Sequence, residues 1–216
     1  KRLIQQPLMQ NVLADMAVEV EAALALGLRV ARAMDNVDDP GEAALARIGT
    51  AVAKYWNTKR CPSLVAEALE CHGGPGYVEE SIMPRLYREA PLNSIWEGSG
   101  NVMGLDVMRA MAREAEAIPA VMTELEKARG NHPNLDRAID DLRDEVTDLD
   151  GLEGRMRTVT EMMALTLQGA LLTNQGDSVV ADAFCASRLA PRYRGAFGTL
   201  PKGLDLDTVI SRALPG

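Results

Sequence analysis

The sequence predicts an all-α protein, an antiparallel helical bundle with a helical extension at its C-terminal end. Three observations carry this. Apolar residues recur at steps of three and four along most of the chain, the spacing of one helix face. Aromatic residues are only 4% of the 216 positions while Ala, Leu, Met and Val abound, a mixture that suits helix interfaces better than sheets. No segment alternates apolar and polar residues long enough to read as a strand.

The first helix is expected over about 6–33, where Met9, Leu13, Met16, Val20, Leu24, Leu28 and Ala31 line up. Residues 35–41 contain Asp-Asp-Pro-Gly and form a loop, with Pro40 near the next helix start. A second helix opens near Glu42 with Leu45, Ile48, Val52, Tyr55 and Trp56 on one face. Pro62 kinks or splits it, because proline removes a donor and clashes with the preceding turn. The pattern resumes with Leu64, Val65, Ala68 and Leu69, and ends at Gly73-Gly74-Pro75-Gly76.

Residues 77–96 hold Pro84 and Pro91 and no long period, so they are expected to be mostly irregular with one short helix. A third helix begins between Gly98 and Asn101 and carries Val102, Leu105, Met108 and Met111. Two shorter helices follow, one with Ile118, Met122, Leu125 and Ala128, the other with Leu135, Ile139, Leu142 and Val146. A longer one carries Leu152, Met156, Val159, Met163, Leu167 and Leu171; the last runs over about 178–188, before a Pro/Gly-rich tail. A boundary near 112 divides the chain into a bundle, 1–112, and an extension, 113–216.

Charge and cysteine content exclude several functions. The net charge is −8, and both parts are acidic: 11 basic against 14 acidic residues in 1–112, 12 against 17 in 113–216. That argues against a chain-wide phosphate-binding surface. No apolar run reaches the length of a membrane span. The opening residues lack a signal-peptide core and read as the interior of a longer chain. Cys61, Cys71 and Cys185 are widely spaced, and His72 and His132 have no partner at i+4, so no metal site is expected and a reducing cytoplasm is the expected location.

Four segments hold residue types suited to chemistry. Gly73-Gly74-Pro75-Gly76-Tyr77 allows close backbone approach, and its N–H groups suit a phosphate; a helix C-cap with a tight turn is the plainer account, favoured on the residues alone. In Asn93-Ser94-Ile95-Trp96-Glu97-Gly98-Ser99-Gly100-Asn101 a lone carboxylate sits beside a flat aromatic, a setting that suits a general base. Ser99 and Asn101 can hydrogen-bond a ligand. The plainer account again leads on the residues alone: Ser99 caps the third helix and Glu97 favours its N-terminus. Arg85-Leu86-Tyr87-Arg88-Glu89 suits an anionic ligand or a solvated loop. Arg188, Arg192, Tyr193, Arg194, Phe197 and Lys202 interleave cations with aromatics in the manner of a nucleic-acid surface, but a solvated terminal loop fits the acidic balance better.

The order of these pieces is more specific than any one of them. A GGxGY turn, an R-x-Y-R-[DE]-A segment and an aromatic-Glu-Gly-[ST] motif opening a helix follow one another at Gly73 to Tyr77, Arg85 to Ala90 and Trp96 to Ser99. This resembles the C-terminal helical domain of flavin-dependent acyl-CoA dehydrogenases, and the wording of the third motif, with Glu70 where many members have Gln, is most similar to the AidB-like branch. The resemblance implies that Glu97 is the base that removes the α-proton of an acyl-CoA. It implies that Ser99 and Asn101 contact FAD within one subunit, while Gly73, Gly74 and Gly76 approach the FAD of a neighbour. It further implies an electron-transfer flavoprotein as acceptor and a dimer-of-dimers homo-oligomer. The family's N-terminal and middle domains are not in this chain, so the chain alone is expected not to turn over substrate. AidB-like proteins are associated with DNA binding through their C-terminal part; the acidic extension here does not favour it. A third expectation is a helical assembly module without activity.

Overall fold

The structure, a computed structural model, describes residues 2–191, 197–201 and 203–213, and among them there are helices and turns but no strand. The helices are α1 (Pro7–Asp35), α2 (Pro40–Cys71), α3 (Gly74–Tyr77), α4 (Met83–Glu89), α5 (Gly100–Arg113), α6 (Ala117–Glu126), α7 (Pro133–Thr147), α8 (Leu152–Gln175), α9 (Ser178–Arg188) and α10 (Leu206–Ala213). Helix starts follow local chemistry. Proline opens α1, α2 and α7, where its missing N–H costs nothing. The Asp39 carboxylate accepts from the Glu42 N–H at 2.9 Å, and Asp177 does the same for Val179.

Helices α1, α2 and α8 pack on one another and α5 packs on α2 and α8; α6 and α7 close over α8, and α9 and α10 lie against α1. The short connection between α1 and α2 makes them antiparallel neighbours. One apolar core runs from Val18 and Ile48 through Val107 to Leu167 and Phe184, so helices on both sides of residue 112 contribute to it.

The expected stripe of α7 is buried, Leu135, Ile139, Leu142 and Val146, and so is that of α8 from Met156 through Val159, Met163 and Leu167 to Leu171, with Leu152 at its start only partly buried; α9 buries Val180, Phe184 and Cys185. Helix α1 differs. Its core face is Ala14, Ala17, Val18, Ala22, Leu26, Val30 and Ala33, while Val20, Leu24 and Leu28 are exposed at 51–61%. Small residues let α1 lie close to α2, so the bulky stripe that dominates the pattern points outward.

Three further expectations change. Helix α2 continues through Pro62, so of the expected kink or split the split does not occur; the helix's packing against α5, α6 and α8 offsets the lost hydrogen bond. Residues 77–96 contain α4 and a 3-10 segment, Ala90–Ser94, rather than mostly irregular chain. The tail carries α10, whose Val209 and Ile210 are buried and whose first turn is held by Asp205 accepting from the Thr208 N–H at 3.0 Å.

Two buried ion networks hold the helices in register. Arg29 of α1 donates to both Glu42 oxygens at 2.7 and 2.8 Å and to Glu124 of α6 at 3.0 Å. Burial works against its charge, yet its hydrogen bonds to Glu42 and Glu124 outweigh it and raise its pKa. In the second network Arg188 of α9 lies 2.5 Å from Asp15 and 3.0 Å from Glu19, and Arg60 of α2 adds a 2.9 Å bond to Glu19. Burial pushes the Glu19 carboxyl up, but Arg60 and Arg188 together hold it below the usual carboxylate range.

Candidate active site

The glycine-rich turn ends α2. Gly73 has φ +62 and ψ −146, a conformation that only glycine adopts readily, and it redirects the chain into the single turn α3. Gly76 is buried, and a Cβ there would lie 2.2 Å from the Leu69 carbonyl oxygen. Gly73 and Gly74 face open space. The chain then doubles back, with α4 and the 3-10 segment packing along α2.

This return path delivers the Glu97 loop to the middle of α2. There the Lys54 ammonium donates to the Asn93 carbonyl at 2.8 Å and to the Gly98 carbonyl at 2.7 Å. Glu97 has φ +53 and is the one non-glycine among the described residues with positive φ, a left-handed conformation that costs on the order of 1–2 kcal/mol. Gly98 follows at φ +109, where a Cβ would lie 2.2 Å from Met103 Cε. The loop thus presents Glu97 through two consecutive unusual backbone conformations. Trp96 is 55% exposed and Glu97 is exposed as well, so within this chain the carboxylate is not enclosed by aromatic surface.

Ser99 occupies the N-cap position of α5, but its side chain makes no capping bond. The plain account of Ser99 as a side-chain cap therefore does not describe this helix start. Asn101 is in the first turn of α5, where its Oδ1 accepts from Arg157 Nη1 of α8 at 3.0 Å. Arg157 also lies over the Tyr55 ring, 5.9 Å from its centroid. Beside Asn101 is a cleft of about 250 Å³ lined by Gly104, Glu153, Met156 and Arg157. Glu97, Ser99 and Asn101 are thus brought together at one end of α5. Gly73 is 19 positions beyond Lys54 on α2, about 28 Å at 1.5 Å per residue, so the glycine turn and the Glu97 loop are separate sites on one chain.

The described residues of the other candidate segments do not come together as a site. Arg88 pairs with Glu79, at 2.5 and 3.2 Å, rather than with Glu89, and Arg85 reaches Glu89 at 3.7 Å; all four are exposed. Arg188 is spent on buried Asp15 and Glu19, and Phe197 lies under Arg60 with 5.1 Å to its ring centroid. Arg192, Tyr193, Arg194 and Lys202 lie outside the described residues. The three thiols are free; burial pushes Cys185 up to about 12, which makes it unreactive. The described residues include no cluster of metal-ligating side chains and no helix long and apolar enough to cross a membrane.

Lys54 and Arg157 were not legible as site residues in the sequence. The available signal for Lys54 was a lone cation within the apolar run Ala51-Val52-Ala53-Lys54-Tyr55-Trp56.

The family model for the acyl-CoA dehydrogenase C-terminal domain matches residues 1–112. The chain belongs to the acyl-CoA dehydrogenase family. AidB of Escherichia coli (strain K12) is 42% identical to this chain over 190 residues, 88% of the chain and 35% of that protein. Acyl-CoA dehydrogenase family member 11 of Caenorhabditis elegans is 30% identical over 84% of the chain and 35% of its own length. Among solved structures, Caenorhabditis elegans ACDH-11 in complex with C11-CoA superposes with a TM-score of 0.79 at 26% identity, covering 90% of this chain and 38% of that one. The chain therefore spans about a third of the length of these relatives, and the similarity to them extends past residue 112 into α7 and α8.

Proposed function

We propose that this chain is the C-terminal part of an FAD-dependent acyl-CoA dehydrogenase in which Glu97 removes the α-proton of an acyl-CoA thioester. The observation that carries this is the Glu97 loop: a carboxylate held at φ +53, anchored to α2 through Lys54, with Ser99 and Asn101 at the adjoining helix start. An exposed carboxylate that accepts no helix-capping role is free to take a proton. FAD, when bound, supplies the acceptor for the β-hydride.

The residues present fit such a group. The Ser99 hydroxyl is not consumed by capping. Arg157 occupies Asn101 Oδ1, which leaves the Nδ2 hydrogens for an acceptor. Gly73 and Gly74 offer backbone beside open space, in a turn about 28 Å along α2 from the Glu97 loop, which suits contact with the FAD of a neighbouring subunit. Ser99 and Asn101 would contact FAD in one subunit, and Gly73, Gly74 and Gly76 would form the turn toward the other. The exposed Val20, Leu24 and Leu28 on α1 supply apolar surface for assembly as a homo-oligomer.

Support for the substrate comes from the C11-CoA complex of the superposing structure, and for an electron-transfer flavoprotein partner from a 32% identical relative, the Caffeyl-CoA reductase-Etf complex subunit CarC of Acetobacterium woodii. Division of labour at residue 112, with 113–216 as an AidB-type extension, belongs to the same reading. DNA binding is not adopted, since Arg188 is buried in an ion network and the extension is net acidic. The experiment is Glu97→Gln in the full-length protein. Flavin reduction by acyl-CoA should fall by roughly 10²–10⁴-fold, the span for loss of a general base, with flavin content unchanged. Reduction at the parent rate would remove Glu97 from the role.

A further inference from the structure

Lys54 sits in the middle of α2, half-buried between Val52 and Tyr55 of the core, and its ammonium faces away from that core toward the loop that carries Glu97. Both of its hydrogen bonds go to neutral backbone carbonyls, at Asn93 four positions before Glu97 and at Gly98 one after it. The two bonds close 93–98 into a ring through a single nitrogen. Because Glu97 and Gly98 both have positive φ, the loop needs such an anchor to keep a shape that most residues avoid.

We propose that Lys54 is the positioning residue for the Glu97 carboxylate, fixing the loop from both sides and supplying a fixed positive charge without occupying the carboxylate oxygens. This rests on the reading of Glu97 as the base. A direct ion pair would satisfy the lone pairs that must receive the proton, whereas an ammonium tied to carbonyls adds favourable potential and leaves those lone pairs open. The charges facing Lys54 agree with this geometry. Burial lowers its pKa, the Glu97 charge works in the opposite direction, and Lys59 adds to the lowering.

The test uses two readouts. In the 216-residue chain, NMR titration of the Lys54 side chain should give a lower midpoint in Glu97→Gln than in the parent, since the opposing charge is gone. Amide exchange at Ile95 and Trp96, whose N–H groups donate to the Leu92 carbonyl at 2.9 and 3.1 Å, should rise at least about tenfold in Lys54→Met, equivalent to loss of one charge-assisted hydrogen bond, and return in Lys54→Arg. In the full-length protein, Lys54→Met should lower kcat with acyl-CoA while leaving KM near the parent value, and Lys54→Arg should recover most of the loss. Unchanged loop exchange and unchanged kcat in Lys54→Met would overturn the proposal. If Lys54→Met does not fold, an unchanged Lys54 midpoint in Glu97→Gln overturns it alone. A parent-like rate in Glu97→Gln would instead refute the base assignment, so the two failures are distinguishable.

Discussion

Replacing Arg188 with Met tests how α9 is fastened to the bundle. The Arg188 side chain is 4% exposed, and Asp15 and Glu19 are 3% and 7% exposed, so solvent screening gives little relief. One Arg188 nitrogen lies 2.5 Å from Asp15 Oδ1, 3.0 Å from Glu19 Oε2 and 3.3 Å from the Asp15 carbonyl oxygen. Met fills most of the volume and removes the charge. Glu19 keeps its bonds from Arg60 at 2.9 and 3.2 Å, and Asp15 keeps the Gly198 N–H at 2.9 Å. Removing one partner of a buried pair costs roughly 3–5 kcal/mol, and the surviving bonds place this case at about 3. At about 2–4 °C per kcal/mol for a chain of this size, Tm should fall by about 6–12 °C. The Glu19 carboxyl is held low, so its contribution is present above its unfolded value of about 4.5 and is lost as pH falls through the folded value. The variant, lacking Arg188, takes up protons at higher pH than the parent, so the deficit should narrow toward pH 4. Urea unfolding at pH 7 and near pH 4 reads both effects. A deficit under about 1 kcal/mol at pH 7, or one that does not change with pH, would show that the network is not a buried ionic fastener.

Gly76→Ala should destabilise the chain by about 1–3 kcal/mol, since the new Cβ would meet a backbone oxygen at 2.2 Å and neither side can yield cheaply; an unchanged urea midpoint would contradict this. Arg157→Leu in the full-length protein should reduce flavin retention, read as the ratio of flavin to protein absorbance, because it releases the Asn101 amide; full retention would remove Arg157 from that role. The purified chain should self-associate at least to a dimer at tens of micromolar, and light scattering at 23.3 kDa alone would count against the exposed α1 stripe as an assembly surface.

The sequence made the all-helical class and most helix positions legible, because Leu135 to Val146 and Met156 to Leu171 repeat with helical period and bury that same face. It misdirected the reading of α1. Periodicity weights bulky residues, whereas close helix packing there is carried by Ala14, Ala17, Ala22 and Ala33. Helix α10 escaped notice because eight residues hold barely two turns, too few for a period to emerge from a Gly/Pro-rich setting. The Glu97, Ser99 and Asn101 cluster was readable because all three fall within five consecutive positions. Lys54 and Arg157 were not, since they reach that cluster from 43 positions before Glu97 and 56 after Asn101, a proximity that only tertiary packing creates.

The outward stripe of α1 also governs how copies of the chain respond to salt. With a net charge of −8, two copies repel one another over the Debye length, about 10 Å at 0.1 M and 3 Å at 1 M. Contact through Val20, Leu24 and Leu28 involves no charge that salt would weaken. On the proposal that copies assemble through this stripe, added electrolyte should lower the barrier and leave the attraction intact, so self-association should strengthen with salt, opposite to an assembly held by ion pairs.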